Sequence, residues 1–435
     1  MLQRFSNKQT LPPPKKTSWV TGDGWRVIIA RGVRNFGYGF TSVLLGVTLA
    51  AAGFSTVQVG LLLSVALVGD IISIILVALF ADRLGRRRVL AFFTLLMGAA
   101  GVAFALSQNV VILLLAAFFG IISPSNSENT PFSTIEQAIL PQTTSPERRT
   151  DVFARYNIVA QVAGATGGLA VGLPDLLHST LGLNTTFGIH AMFALYALLA
   201  LATCGLFLSM SKDIEPEPMP AHIQGDVQSQ NSPVQQKRSA RPKPLQKSRG
   251  IVLRLASLFA LDAFAGGLAV QTILALWFHL RFGTSLSLLG LLFFGTNLLA
   301  ALSFPVAAWL AKRIGLLNTM VFTHLPSNIL LIMVPLMPVF PLAALFLLGR
   351  QALSQMDVPT RQAYTMTLVA PEERTAAASV TTLARSIALT VSPLLAGILL
   401  SGPALVLGLP FLCAGSLKVV YDLSLYRVFS KVKLS

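Results

Sequence analysis

The chain of 435 residues is strongly apolar, with 54% hydrophobic and only 11% charged residues. A soluble globular protein carries roughly 25% charged residues, so an ordinary water-soluble enzyme is excluded. The apolar residues form long blocks without heptads or a Gly-X-Y repeat, which excludes coiled-coil and collagen-like fibres. Because a bilayer-spanning helix needs about 20 apolar residues, the composition predicts an all-α membrane protein that crosses a lipid bilayer many times.

The formal net charge of +16 does not indicate a nucleic-acid partner. The basic residues lie between the apolar blocks and not on one amphipathic recognition element. Cys204 and Cys413 each lie inside an apolar segment, so they predict neither a disulfide framework nor a metal site. Residues 1–23 are polar and lack the apolar core of a signal peptide, and we expect the first apolar block to direct membrane insertion.

Twelve apolar blocks follow one another along the chain. In the first half they cover residues 26–51, 57–80, 89–107, 110–140, 152–173 and 187–210. After a polar gap they cover residues 252–280, 285–310, 318–337, 340–366, 376–400 and 404–427. The fourth and tenth blocks are long for a membrane span, so we expect them to be tilted or extended at one end.

Lysine and arginine alternate between the connections in a way that predicts the orientation. The alternate loops on one side hold a single basic residue, Arg281, whereas the other loops and both termini hold most of the positive charge. Positively charged loops remain in the cytoplasm, so we expect both termini there and the protein in the cell membrane, inner or plasma. The predicted parts are a tail (1–25), a six-helix bundle (26–210), a linker (211–251), a second six-helix bundle (252–427) and a tail (428–435).

The segment 211–251 changes composition sharply, from acidic and proline-rich to Gln/Ser-rich and then basic. This pattern predicts a disordered cytoplasmic linker between the two bundles. Its basic end has two open interpretations, a contact with anionic lipid headgroups or a solvated tether that follows the charge rule.

Four short stretches of the first half recur in the second half at offsets of 225 to 230 residues. Ala78–Arg87 recurs as Ala308–Leu317, and Pro146–Thr150 recurs as Pro371–Thr375. At similar offsets Glu136 aligns with Arg361, and Arg34 aligns with Asp262. Six spans, a linker and six spans of the same orientation predict a parallel duplication, with two pseudo-symmetric six-helix bundles about an axis along the membrane normal.

The loop Asp82-Arg83-Leu84-Gly85-Arg86-Arg87 resembles the signature loop of the major facilitator superfamily, G-x-x-x-D-R-x-G-R-R. Ala78 stands in place of the leading glycine, and the copy in the second half has Lys312 in place of the aspartate. The resemblance implies a secondary transporter, working as a monomer, in which two six-helix bundles rock about a central site.

The same resemblance implies that the signature loop is part of a gate. Asp82 would stabilise one conformer through contacts across the bundle interface, with Arg385 as a possible partner. The loop arginines would pair with acids such as Glu136, or they only enforce the topology. The predicted gating residues are Asp82, Arg83, Gly85, Arg86, Arg87, Glu136, Arg361 and Arg385.

Several ionisable residues are predicted near the middle of the bilayer, where each costs at least about 2.5–3.5 kcal/mol. They lie about 9 to 12 residues from the cytoplasmic end of their spans, or roughly 14–18 Å deep. The candidates for substrate and coupling-ion binding are Arg34, Tyr38, Asp70, Asn126, Glu128, Asp262, Arg350 and Asp357. We expect them to bind a polar or ionic substrate and a coupling proton, or alternatively to form internal ion pairs, such as Arg34 with Asp70.

The fourth span contains Ser123–Pro131, nine residues without one aliphatic side chain. Irregular backbone is tolerated inside a membrane only where it is buried in protein or lines a cavity. We therefore expect an interrupted helix that faces the cavity through Asn126 and Glu128, with a packing kink as the alternative.

These patterns favour a secondary active transporter that moves a small polar or amphipathic solute by alternating access. We expect coupling to a proton, or to another ion, and export. The alternatives are an uptake permease, an uncoupled facilitator, or a transport-inactive receptor or scaffold. The sequence contains no Walker loop, G-x-G-x-x-G, H-E-x-x-H or G-x-S-x-G motif, so it predicts neither an enzyme nor a bound cofactor or metal.

Overall fold

The computed structural model describes residues 20–124, 130–145, 148–215, 248–369 and 373–430. Within these ranges the secondary structure is helical, and the helices form twelve successive spans in two halves. The first half contains α1 (Gly22–Ala51), α2 (Thr56–Leu84), α3 (Arg86–Leu106), α4 (Val110–Phe119), α5 (Pro131–Ile139), α6 (Arg149–Ala170), α7 (Leu173–Leu181) and α8 (Thr185–Leu208).

The second half repeats this arrangement. It contains α9 (Arg249–Gly267), α10 (Gln271–Phe282), α11 (Leu286–Ile314), α12 (Leu316–Leu336), α13 (Phe340–Ser354), α14 (Asp357–Leu368), α15 (Arg374–Leu399), α16 (Ala404–Leu407) and α17 (Leu409–Phe429). Seven described segments are long and apolar enough to cross a membrane, and one of them, Arg249–Phe282, consists of α9 and α10 together. Other spans contain a break or carry more polar residues.

The fourth and tenth spans are both broken; the break in the fourth agrees with its polar stretch, whereas the break in the tenth was not predicted. The fourth span consists of α4 and α5, and the tenth consists of α13 and α14. The seventh span also has a break, at residues 268–270, which the sequence did not predict. These breaks matter because they free backbone groups, which must then find hydrogen-bond partners inside the protein.

The duplicated turn between the second and third helices of each half depends on glycine. Gly85 has φ 93° and Gly315 has φ 87°, in the region that L-residues with a side chain rarely adopt. Each glycine ends one helix and directly precedes the next, α2 and α3 in the first half and α11 and α12 in the second. The repeat seen in the sequence is therefore a repeated backbone conformation.

The two halves meet on the side of the molecule opposite the chain ends, which we call the distal side. There α2 packs on α15 so closely that the Thr56 hydroxyl donates to the Gly397 carbonyl at 2.8 Å. Thr272 on α10 donates through its hydroxyl to the Ser42 carbonyl of α1 at 2.6 Å. Ser287 on α11 donates through its backbone N–H to Asp175 of α7 at 2.8 Å.

The hydrophobic core follows the same division. On the distal side one buried cluster contains residues of both halves, including Leu44, Phe193, Trp277 and Phe411. Nearer the chain ends, the clusters are separate: one contains first-half residues such as Phe132 and Tyr156, and the others contain second-half residues. The halves therefore share a core on the distal side and separate toward the chain ends, which we call the terminal side.

Candidate functional site

A cavity of about 790 Å³ lies against the second half and reaches toward the terminal side. Most of its wall belongs to the second half, including Leu274 on α10 and Thr365 on α14, and Gln161 is a wall residue of the first half. The volume falls in the range of about 300–1,000 Å³ that is typical of small-molecule sites. The charged side chains in the described wall are Asp262, Arg350, Arg361, Arg385 and Lys418.

Asp262 is the centre of the charge network in this cavity. Its side chain is 5% exposed, and its Oδ2 atom accepts from Arg361 Nη1 at 2.9 Å and from Arg385 Nη1 at 3.2 Å. Its Oδ1 atom accepts from Lys418 Nζ at 2.5 Å. A buried carboxylate is costly unless it is paired, and here three cations on three helices compensate it. Asp262 therefore ties α9 to α14, α15 and α17.

A second layer of acids supports the network from behind. Asp357 lies one helical turn from Arg361, and its Oδ2 atom is 3.0 Å from Arg361 Nη1. His324 lies between two acids, with Nδ1 2.8 Å from Asp422 Oδ1 and Nε2 3.9 Å from Asp262 Oδ1. The Asp422 carboxylate also accepts from Asn328 Nδ2 at 2.8 Å, so His324 and Asn328 of α12 both contact it.

Arg350 differs from the other cavity cations because no carboxylate of the described residues lies within 4 Å of it. Its Nη1 atom donates to Gln351 Oε1 at 3.0 Å, and its Nε atom is buried without a partner. Of the two candidates on the tenth span, Arg350 lies on α13 and Asp357 lies on α14, and Asp357 binds Arg361.

The first half contains its own buried ion pair, between Arg34 and Glu136. Arg34 Nη2 donates to Glu136 Oε1 at 2.6 Å, and both side chains are 0% exposed. The Tyr156 hydroxyl donates to Glu136 Oε2 at 2.7 Å. The Arg34 guanidinium also lies over the Phe132 ring, 4.3 Å from its centroid. This pair corrects two predictions, that Glu136 binds the loop arginines and that Asp70 is the alternative partner of Arg34.

The two buried pairs occupy corresponding positions with opposite charges. Arg34 aligns with Asp262 in the first helix of each half, and Glu136 aligns with Arg361 in the fourth. In the first half the cation lies on the first helix, and in the second half the acid does. The repeat has therefore kept the contact between these helices while reversing its polarity.

Asp70 and Tyr38 are buried in the first half, outside the described cavity wall. Asp70 on α2 is 8% exposed and has no ion-pair or hydrogen-bond partner among the described residues. Tyr38 is 1% exposed, and its hydroxyl has no hydrogen-bond partner there either. An unpaired carboxylate at this depth is costly when ionised and far less so when protonated.

The predicted ligands Asn126 and Glu128 lie outside the described residues. The described part of the interruption, residues 120–124, is not helical, in agreement with the prediction that the span is broken. Its last residue, Pro124, accepts from the backbone N–H of Thr272 at 3.2 Å and from the Thr272 hydroxyl at 3.0 Å. The break in the fourth span thus contacts the start of α10, just after the break in the seventh span.

The signature loop is held within its own half. Asp82 accepts from Arg86 Nε at 2.9 Å, and the carboxylate of Glu215 accepts from the backbone N–H groups of Arg86 and Arg87 at 2.5 and 3.1 Å. Arg87 Nη2 donates to the Leu208 carbonyl at 2.6 Å. The Glu215 carboxylate lies at the N-terminus of α3, where the helix dipole favours negative charge.

Arg361 and Arg385 belong to the cavity in this conformation, although the sequence assigned them to the gate. Both bind Asp262, and the Asp82 side chain is 68% exposed. The expected contact between Asp82 and Arg385 is therefore absent from the described structure. Arg83 is exposed on the terminal side.

The sequence prediction missed four residues of these networks, Tyr156, His324, Lys418 and Asp422. Lys418 lies about 11 residues from the end of α17, a depth of roughly 17 Å at 1.5 Å per residue. The depth criterion that selected Asp262 would have found it. The same criterion extended to histidine would have included His324, because ionisable residues are rare inside spans. Tyr156 left no comparable signal, because tyrosine is common near membrane interfaces.

The chain belongs to the Major Facilitator Superfamily, whose family model matches residues 27–393. It is 29% identical over 414 residues to an uncharacterized membrane protein of Saccharomyces cerevisiae, YJR124C, covering 91% of this chain and 92% of that protein.

Solved structures of transporters have the same fold. A bacterial homologue of the human lysosomal transporter Spinster, in an inward-facing and occupied conformation, aligns with a TM-score of 0.71 at 15% identity, covering 94% of this chain and 96% of that one. A D-xylose-proton symporter aligns with a TM-score of 0.68 at 16% identity, covering 93% and 97%. The protein is therefore a multi-pass membrane transporter of this superfamily.

Proposed function

We propose that this protein is a proton-coupled secondary transporter that exports a small polar or amphipathic solute by alternating access. The observation that supports this most directly is the cavity of about 790 Å³, whose charged wall is centred on the buried Asp262. The halves share a core on the distal side and have separate cores on the terminal side. Such an arrangement corresponds to one of the two conformers that alternating access requires.

Proton coupling in this proposal rests on Asp70. A buried carboxylate without a partner is the kind of group that takes up a proton when water leaves its surroundings. Its position on α2, outside the described cavity wall, separates proton binding from solute binding. The relative in the fold comparison that is a D-xylose-proton symporter supports the same type of coupling.

The proposed orientation places both chain ends in the cytoplasm, so the conformer described here opens inward. In the outward-open conformer the signature loop of the first half would approach the second half, and the exposed Asp82 would pair with a cation of that half. Asp82 would then act as a gating residue in the outward-open conformer, which is not the one described here. Residues 1–25, 211–251 and 428–435 would then be the cytoplasmic tails and linker, and 26–210 and 252–427 the two moving bundles.

The experiment uses purified protein in liposomes that are loaded in turn with labelled solutes of several chemical classes. A pH gradient is imposed in either direction, and the movement of each solute is followed with time. We expect gradient-driven movement in the wild type, loss of solute movement in Asp262→Asn, and loss of the gradient effect alone in Asp70→Asn. Asp213→Asn, an exposed acid beyond α8, is the matched control.

Each alternative has its own result in this experiment. Solute movement that ignores the gradient in the wild type would identify an uncoupled facilitator, and accumulation in the opposite direction would identify an uptake permease. If correctly folded protein moves no solute of any class, the transporter proposal fails and the protein is a receptor or scaffold. Gradient-driven transport that survives both Asp262→Asn and Asp70→Asn would refute the residue assignments.

A further inference from the structure

The cavity wall carries more positive than negative charge. Among the described wall residues, four cations face a single carboxylate, and Asp357 behind the wall adds a second. Asp422 and His324 lie further back and bind each other. A solute that enters this cavity therefore meets a positive electrostatic potential, which is not screened as it would be in water.

Resting on the proposed function, we infer that the transported solute is a small organic anion whose carboxylate or phosphate group is bound by Arg350 and Arg385. Arg350 lines the cavity, and no acid of the described residues lies within 4 Å of it. Its Nη1 atom donates to Gln351 Oε1 and its Nε atom is buried without an acceptor, so the described residues leave this guanidinium group without a paired carboxylate. An anionic group in the cavity supplies the compensating charge.

Arg385 is the second ligand because it is the cation that Asp262 holds least firmly. It shares the Oδ2 atom of Asp262 with Arg361, at the longer distance of 3.2 Å against 2.9 Å. Its side chain is 32% exposed, compared with 11% for Arg361. Arg385 can turn to a ligand while Asp262 keeps two cations, so the carboxylate remains compensated.

The geometry of guanidinium groups favours an anion with two or more oxygens in one plane or cluster. Arginine binds carboxylate and phosphate through two parallel N–H donors, which a hydroxyl or an amide cannot match. Cationic solutes are disfavoured because they add to the positive charge already in the wall. The wall also contains the amides of Gln355 and Asn297, which offer polar groups to the hydroxyls of a solute.

The test measures solute binding to the purified protein by thermal unfolding at constant ionic strength. The probes are lactate and citrate as carboxylates, inorganic phosphate and glycerol 3-phosphate as phosphates, glucose and uridine as neutral solutes, and choline as a cation. We expect the carboxylates or the phosphates, but not both sets, to raise the unfolding temperature of the protein. The set that does so shows which anionic group the cavity recognises. Any solute that stabilises the wild type is then titrated against the variants.

Arg350→Gln is expected to weaken binding of that anion by about 30-fold or more, because the loss of one partner of a desolvated charge pair costs at least about 2 kcal/mol. Arg350→Lys keeps the charge without the paired donors and should recover part of the affinity. Arg427→Gln removes an exposed arginine at the end of α17 and should leave the affinity unchanged. Partial recovery by lysine excludes misfolding as the cause of the loss.

The inference is overturned if no anion stabilises the wild type, if only neutral or cationic probes do, or if Arg350→Gln binds the anion as tightly as Arg427→Gln. None of these results contradicts the proposal that the protein is a transporter. That proposal fails only when no solute crosses the liposome membrane. Transport of glucose or choline that is insensitive to Arg350→Gln would leave a transporter with a different substrate class.

Discussion

Glu136→Gln tests the buried pair of the first half most directly. The change keeps the shape of the side chain and a hydrogen-bond acceptor for Tyr156, but it removes the charge that compensates Arg34. Both partners are 0% exposed and 2.6 Å apart, so no water replaces the lost carboxylate. Breaking a buried ion pair by removing one partner costs about 3–5 kcal/mol, which is roughly a 10²- to 10⁴-fold change in the folding equilibrium.

The measurement is denaturant unfolding in detergent micelles, followed by intrinsic tryptophan fluorescence. Asp82→Asn is the control, because the Asp82 side chain is 68% exposed and its pair with Arg86 is worth about 0–1 kcal/mol. The double variant Arg34→Met with Glu136→Met removes both charges and should recover much of the lost stability. A Glu136→Gln variant as stable as Asp82→Asn would refute the reasoning. So would a double variant that loses the sum of the two single effects.

Three further predictions concern the terminal side. Glu215→Gln should lower unfolding stability by about 1 kcal/mol through the lost charge at the start of α3, and the exposed Asp213→Asn in the same turn should not. Gly85→Ala, at φ 93°, should cost about 1–3 kcal/mol in the same unfolding assay, whereas Gly205→Ala, in a helix with open space around it, should be neutral or stabilising. Burial raises the pKa of Asp23, but hydrogen bonds from Ser211 and Arg26 outweigh burial and hold the pKa below its usual value. The contribution of Asp23 to the free energy of unfolding should therefore be present above about pH 4 and be lost on acidification. Measurements of unfolding against pH should show that Asp23→Asn abolishes this loss.

The spans were predictable because the bilayer fixes both their length and their composition. The predicted limits of α2, 57–80, and of α12, 318–337, differ from the observed limits by a few residues. The polar stretch from Ser123 to Pro131 also indicated a break in the fourth span. The break at 268–270 was hidden, since its residues Leu268, Ala269 and Val270 are apolar and give no composition signal.

The pairing of charges was harder to predict than their depth. Counting residues along a helix gives the distance from the membrane surface, but it does not give the direction in which a side chain points in the assembled bundle. Glu136 was placed with the signature loop because it lies near the terminal side. It turns inward to Arg34 because α5 restarts the fourth span after the break, in an orientation that the sequence does not specify.

Lys418 was missed for a different reason. The predicted candidates lie on the first, second, fourth, seventh and tenth spans, whereas α17 forms the twelfth span. In this protein α17 packs on α9, which brings Lys418 to Asp262. A depth criterion applied equally to all twelve spans would have added it, without any assumption about which helices line a cavity.

The reversed polarity of the two buried pairs limits how this protein can be recombined. An exchange of α1 for α9 alone would bring the carboxylate of Asp262 to Glu136 and the guanidinium of Arg34 to Arg361, so each half would hold two like charges in contact. An exchange of α1 together with α5, for α9 together with α14, would carry each pair intact, but it would leave Arg385 and Lys418 without the carboxylate that compensates them. A change of charge on α1 therefore has to be matched on one other helix, α5, whereas a change on α9 has to be matched on three, α14, α15 and α17.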